Sequence, residues 1–122
     1  MTLSHEELFQ RYLHAGAFTR NADAVAALFT EDGVYEAPLV PLHFAGRDAI
    51  RVGVAALHRQ PPPDGAVDLQ RSAYVLHETA DPDVFITEID TVFDTGRTIA
   101  LAQIFRVHGD QITRLRDYFH TP

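Results

Sequence analysis

The strongest constraint on the fold is a two-residue alternation in the last third of the chain, where polar and apolar side chains take turns along two long runs. Residues 84–94 and 97–107 read as two strands joined at Thr95-Gly96, a short loop in which glycine supplies the unusual φ. A two-residue loop fixes the pairing: Asp94 faces Arg97, Asp90 faces Leu101, Glu88 faces Gln103 and Ile86 faces Phe105. Side chains alternate between faces, so Ile86, Glu88, Asp90 and Val92 are expected to share a surface with Ile99, Leu101, Gln103 and Phe105. Two carboxylates and an amide would then sit among branched and aromatic groups. Buried charge is costly unless it is paired or used, which makes this surface the place to look for chemistry.

A last strand at 112–119 places Thr113, Leu115, Asp117 and Phe119 on one side and Ile112, Arg114, Arg116 and Tyr118 on the other. The two arginines mark the second side as solvated, so Asp117 is expected to point inward as a third acid. A one-residue slip around His108-Gly109-Asp110 would reverse this. The plainer alternative is a salt bridge from Asp117 to a nearby arginine.

Upstream, Ser4 and Glu7 form a capping box for a helix at 5–19, and Asn21 caps a second helix with Val25, Leu28 and Phe29 on its apolar stripe. Asp32-Gly33 ends it, and residues 34–37 read as a short strand stopped by Pro38 and Pro41. Gly46-Arg47-Asp48 opens a third helix to about His58, with Ile50, Val54 and Leu57 inward. Residues 60–64, with three consecutive prolines, read as an extended loop, and 66–78 as a long strand. Helices first and antiparallel strands after make a single α+β domain over 1–122, with the helices on one face of a sheet. On the other face, Phe85, Ile89, Phe93, Ala102 and Ile104 would leave an apolar patch, so a homodimer through that outer sheet face is expected.

A chain of 122 residues holds one core and is too short for two. The net charge of −7 argues against nucleic acid and against an anionic membrane surface. No cysteine means no disulfide and no thiol nucleophile, and neither a secretion signal nor a membrane span is legible, which leaves a cytoplasmic location by default. The histidines (His5, His14, His43, His58, His77, His108, His120) show no close helical pairing, so no metal site is expected. There is no glycine-rich phosphate loop, and no cofactor is expected.

Taken together, "LFTEDGVYEAP", "FAGRDAI", "ITEIDTVFDTGRTIALAQIFRV" and "ITRLRDYF" resemble the SnoaL-like branch of the nuclear-transport-factor-2-like superfamily. The resemblance implies a cone-shaped fold: a curved antiparallel sheet with three N-terminal helices packed on one face, enclosing an apolar pocket. It also implies relatives such as ketosteroid isomerase, limonene epoxide hydrolase and polyketide cyclases. Against the isomerase, Tyr12 in "QRYL" is similar to the oxyanion-hole tyrosine and Gln103 stands at the second donor, but the general-base position falls on Ala37. Against the hydrolase, Asp117 in "LRDYF" matches a catalytic aspartate and Asp90 matches a second. Glu88 replaces the bridging arginine, Tyr35 keeps the water-holding tyrosine, and Ala37 replaces the asparagine.

The expected machinery is therefore Asp90, Asp117, Glu88, Tyr35, Gln103 and Tyr12. Crowded acids in an apolar pocket cannot all ionise, so one carboxylate and one carboxylic acid would share general acid–base work, with Glu88 as a candidate proton donor. Leu8, Phe9, Phe29 and Ile86, with Leu101, Phe105, Leu115 and Phe119, are expected to line the pocket and to suit a hydrophobic, neutral small molecule. Hydrolysis, cyclisation and isomerisation are the reactions implied, with a non-catalytic ligand-binding or dimerisation domain as the alternative.

Overall fold

The computed structural model describes residues 3–60 and 65–119. From residue 61 onward, the proline loop expected at 60–64 lies outside them. Ser4 and Glu7 exchange hydrogen bonds in a complete capping box at the start of α1 (His5–Leu13). This helix does not run unchanged to residue 19. It widens into a π-helical turn, His14–Phe18, closed by the Thr19 N–H and hydroxyl, which both donate to the His14 carbonyl (2.9 and 3.1 Å). Arg20, at φ +50, turns the chain, and the Asn21 side chain accepts from the Ala24 N–H to cap α2 (Ala22–Ala27). Phe29, expected on the stripe of that helix, instead begins β1 (Phe29–Ala37).

A short strand where the sequence predicts only loop, β2 (Leu42–Ala45), pairs with β1. Gly46 then adopts φ +93, a conformation that favours glycine, and α3 (Arg47–His58) follows. The next strand is shorter than the expected 66–78, because Asp68 accepts from the Gln70 and Arg71 N–H groups in a tight turn before β3 (Ala73–Glu78). The remaining strands are β4 (Val84–Val92), β5 (Thr98–His108) and β6 (Gln111–Tyr118).

The strands form one six-stranded sheet in the order β2-β1-β6-β5-β4-β3. All neighbours run antiparallel except β1 and β6, which are parallel, so the sheet is mixed. The core fills the face on which α1 packs. Phe9 meets Tyr74 and Phe105 edge-on at 4.7 and 5.8 Å, Phe85 stacks on Phe105 at 4.7 Å, and Phe29, Ile50, Ile112 and Leu115 are fully buried beside them.

The hairpin register differs from the expected one by a single residue, and that residue decides which face carries what. Phe93 N–H donates to the Arg97 carbonyl and Gly96 N–H to the Phe93 carbonyl, so the loop is the three residues Asp94-Thr95-Gly96, with Gly96 at φ +89. Phe85 therefore pairs with Phe105, Thr87 with Gln103 and Ile89 with Leu101, while Glu88 pairs with Ala102 and Asp90 with Ala100. A one-residue slip turns every side chain of a strand to the opposite face. Ile86, Glu88 and Asp90 consequently lie on the outer surface of the sheet, whereas Phe85, Thr87 and Ile89 face the helices. Between β5 and β6 the register shifts at Arg106/Val107, where Thr113 is the extra residue, and this returns Asp117 to the enclosed face opposite Gln103.

Candidate functional site

Four polar side chains converge on the enclosed face, each delivered by a different element. Asp117 comes from β6, Gln103 from β5, Tyr35 from β1 and Tyr12 from the last turn of α1. The Tyr35 hydroxyl donates to Asp117 Oδ2 at 2.9 Å. Gln103 stands opposite Asp117 across the β5–β6 pair, favours the ionised carboxyl, and is itself held by Thr87, whose hydroxyl donates to Gln103 Oε1 at 3.3 Å. Asp117 Oδ1 is buried and has no hydrogen-bond partner among the described residues. An orphaned carboxylate oxygen in a protein interior is expensive, so a group of this kind is a candidate for use.

Burial pushes the Asp117 carboxyl up to about 6, against the Tyr35 hydrogen bond and the neighbouring Gln103 amide, which pull it down. Burial also raises both phenols, with the nearby Asp117 charge adding to the effect at Tyr12, and Tyr12 and Asp117 adding to it at Tyr35. Both tyrosines therefore stay protonated at neutral pH and act as donors. Tyr35 is held flat by Phe44, whose ring stacks on it at 5.8 Å. Phe44 in turn lies so close to α3 that a Cβ at Gly53 would come within 2.5 Å of its ring.

A cavity of about 250 Å³ opens onto this cluster, with Tyr12, Tyr35 and Gln103 in its wall. Its apolar lining includes Val25, Val54, Leu57, Ile89 and Leu101, and Gly16, Ala17 and His58 lie along it as well. Asp117 is not part of the wall. It sits one layer behind Tyr35 and Gln103 and is 8% exposed. The volume is below the usual range for drug-sized ligands, which fits a small molecule.

The arrangement brings together Asp117, Tyr35, Gln103 and Tyr12 of the expected set and leaves out the other two. Glu88 and Asp90 are exposed on the outer face, where Glu88 Oε2 lies 2.7 Å from His77 Nε2, so neither joins Asp117. The cause is the three-residue loop. Glu88 therefore cannot be the protonated partner of an acid pair here. The expected pocket lining also needs correction. Leu8, Phe9, Phe29, Phe105 and Leu115 are close-packed core, Ile86 faces outward and Phe119 packs beside the core, while Leu101 alone of that set lines the cavity. The sequence carries no local signal for the parts played by His58, by Thr87 and by the wall that the π-helical turn contributes. The outer apolar patch changes membership too: Phe85 is buried and Ile89 lines the cavity, while Ala102 and Ile104 remain outside with Val75, Ile86 and Tyr118.

Among the described residues, no group of three or more His, Asp or Glu is placed to hold a metal ion, and no helix is long and apolar enough to cross a membrane.

Residues 9–115 match the family model of the SnoaL-like domain. Among solved structures, one similar in fold is a hypothetical protein with a ketosteroid isomerase-like fold from Catenulispora acidiphila, solved with trimethylamine. It is 20% identical, with a TM-score of 0.70 over 96% of this chain and 88% of that one. A protein from Sphaerobacter thermophilus is 24% identical, with a TM-score of 0.69 over 98% of each chain. A phenazine biosynthesis-related protein from Pseudomonas aeruginosa is 19% identical, with a TM-score of 0.71 over 94% of this chain and 78% of that one. At these identities the likeness is one of fold. No curated protein sequence matches the chain.

Proposed function

The chain belongs to the SnoaL-like domain family, and from that premise we propose that it is a small-molecule enzyme in which one buried carboxyl, Asp117, moves protons on a hydrophobic, neutral substrate. The observation that carries this reading is the Asp117–Tyr35 pair: a carboxyl raised to about 6, with an orphaned oxygen, joined at 2.9 Å to a hydroxyl in the cavity wall. At neutral pH such a carboxyl is mostly ionised and serves as a base. A proton leaving a carbon next to a carbonyl passes to Tyr35 Oη as the Tyr35 proton passes to Asp117 Oδ2, and the C–H electron pair becomes an enolate. Tyr12, whose hydroxyl has no hydrogen-bond partner among the described residues, donates to the developing oxyanion. Reversing the relay onto a different carbon completes an isomerisation, and attack of the enolate on a second carbonyl, with the proton returned from Asp117 through Tyr35 to the alkoxide so formed, completes a cyclisation.

With Glu88 and Asp90 on the other face, a two-aspartate activation of water is disfavoured, so proton transfer at carbon stands ahead of epoxide hydrolysis. General acid–base catalysis of this kind contributes about 100- to 10,000-fold. A second reading, a ligand-binding domain without turnover, is favoured by one observation: Asp117 stands behind the cavity wall and not in it. The outer face, with Val75, Ile86, Ala102, Ile104 and Tyr118, is proposed to pair with a second copy.

The test is hydrogen–deuterium exchange and double-bond migration in 3-cyclohexen-1-one, a ketone small enough for the cavity, followed by NMR. The expected result is catalysis by the wild type that falls about 100-fold or more in Asp117→Asn while binding persists. Rates unchanged by Asp117→Asn overturn the reading, and binding without exchange supports the second one.

A further inference from the structure

The outer face of the sheet carries its charges in two separate groups: Arg106, Arg114 and Arg116 on β5 and β6, and Glu88 and Asp90 on β4. Most of them are answered within the chain. Arg114 Nε donates to Glu36 Oε1 at 2.6 Å, and Arg116 Nε lies 3.7 Å from the same oxygen, with its guanidinium over the Tyr118 ring. Glu88 Oε2 lies 2.7 Å from His77 Nε2. Arg106 and Asp90 are both exposed, and neither side chain has a partner among the described residues. Each also stands beside a like charge, Arg106 opposite Arg114 and Asp90 next to Glu88 on the same face of β4. Asp90 borders an open hollow of about 490 Å³, floored by Ala73, Ala100 and Ala102 and walled by Val75, Glu88 and Tyr118. An alanine floor with a carboxylate at its edge suits the apolar stem and charged head of a long cationic side chain.

The two unanswered charges cannot meet in one molecule. Asp90 pairs with Ala100 of β5, six residues along that strand from Arg106, so about 20 Å separates the two. In a two-fold pair residue i contacts j and j contacts i, so this separation supplies two identical contacts, one on either side of the axis. Halfway between the charges lie Ile86 and Ile104, paired across β4 and β5, with Ala102 beside them. An axis running across the strands there gives an apolar centre with charged contacts at its flanks.

We infer that two copies of this chain join through their outer faces in one register, with Arg106 of each seated in the alanine-floored hollow of the other and paired with Asp90. The inference rests on the reading of the outer face as a pairing surface and adds what orients the pair. Apolar contact has no direction of its own, and two copies of net charge −7 repel each other at a distance. Opposite charges at fixed positions select the register. With the axis along the strands instead of across them, Arg106 would face Arg106 and Asp90 would face Asp90, which like-charge repulsion penalises.

The experiment measures the dimer dissociation constant of the whole chain by sedimentation equilibrium. Arg106→Asp and Asp90→Arg each turn both contacts from attraction to repulsion and are expected to weaken the dimer by about tenfold or more. The double variant Arg106→Asp/Asp90→Arg keeps the wild-type net charge with both contacts reversed in polarity, and is expected to recover most of that loss. A wild-type dimer that ignores both single changes, or a double variant no tighter than the single ones, overturns the inference. The underlying reading fails differently: a wild type that sediments as a monomer, or a dimer that survives Val75→Glu, removes the outer face as the pairing surface and the register with it. Both charged positions are exposed, so thermal melts of the variants are expected to match the wild type. Should either melt early, Arg106→Gln and Asp90→Asn remove the same contacts without repulsion and are expected to weaken the dimer in the same direction; no weakening overturns the inference.

Discussion

Replacing Asp117 with asparagine should make the protein more stable at neutral pH. The carboxyl has a folded-state pKa of about 6 against an ordinary 3.8, with burial as the leading cause. An acid whose pKa is raised by folding binds its proton more tightly in the native state. Its contribution therefore favours folding as pH falls from above 6 toward 4 and opposes folding above 6. A rise from 3.8 to about 6 corresponds to about 3 kcal/mol of destabilisation at pH 8 as an upper bound. Asparagine removes the charge but must still house an amide beside Tyr35 and Gln103, so a net gain of about 1–2 kcal/mol is expected, or about 3–8 °C in Tm. The assay is a pair of thermal melts of wild type and Asp117→Asn from pH 4 to pH 8. Titrations of the histidines and of the other acids are common to both proteins and cancel in the difference. The difference should be largest at pH 8 and vanish toward pH 4, where the protonated carboxyl and the amide are nearly isosteric. A variant less stable than wild type at pH 8, or a difference that does not change with pH, would refute the argument.

Two further outcomes follow from the register and the outer face. Gly96→Val places a β-branched residue at φ +89 in the three-residue loop and should lower stability by about 1–3 kcal/mol in denaturant titrations, whereas Gly96→Asn, which adopts positive φ more readily, should lose less. Val75→Glu adds a charge to the outer face at a position 55% exposed, beside Glu88, and should convert a sedimenting dimer to monomer with little change in the monomer's fold; a wild type that sediments as a monomer removes the proposed pairing.

The elements were largely legible in the sequence, because capping residues and period-two patterns are local signals. The Ser4–Glu7 box, the Asn21 cap and the strands at 84–108 all occur close to where they are read, while of the expected α3 stripe Ile50 and Val54 are buried and Leu57 is 41% exposed. What was not legible is which face of β4 is enclosed. That depends on whether Asp94-Thr95-Gly96 closes as two residues or three, a difference of one residue with a global outcome. A corrective signal was present in β4 itself: Phe85, Thr87 and Ile89 form an uncharged set, whereas Ile86, Glu88 and Asp90 contain two acids, and burying the uncharged set leaves no unpaired charge inside. Asp117 is reached correctly because Arg114 and Arg116 label the solvated side of its strand, and the bulge at Thr113 preserves that side. The cavity wall was out of reach for another reason. His58, Gly16 and Val54 meet there through helix packing and through the switch from α- to π-helical winding at His14, neither of which has a short-range sequence signature.

Because the acid stands behind Tyr35, the surface that meets the ligand can be rebuilt without disturbing it. A Cβ added at Gly16 would find nothing nearer than Val25 Cγ2 at 3.9 Å, and Leu57 lies near the rim at 41% exposure, so both positions tolerate new side chains that reshape the hollow. Such a partition between a fixed reagent and an interchangeable mould makes this scaffold easy to re-aim: successive variants can try new guests while the same carboxyl and phenol wait, unaltered, at the back.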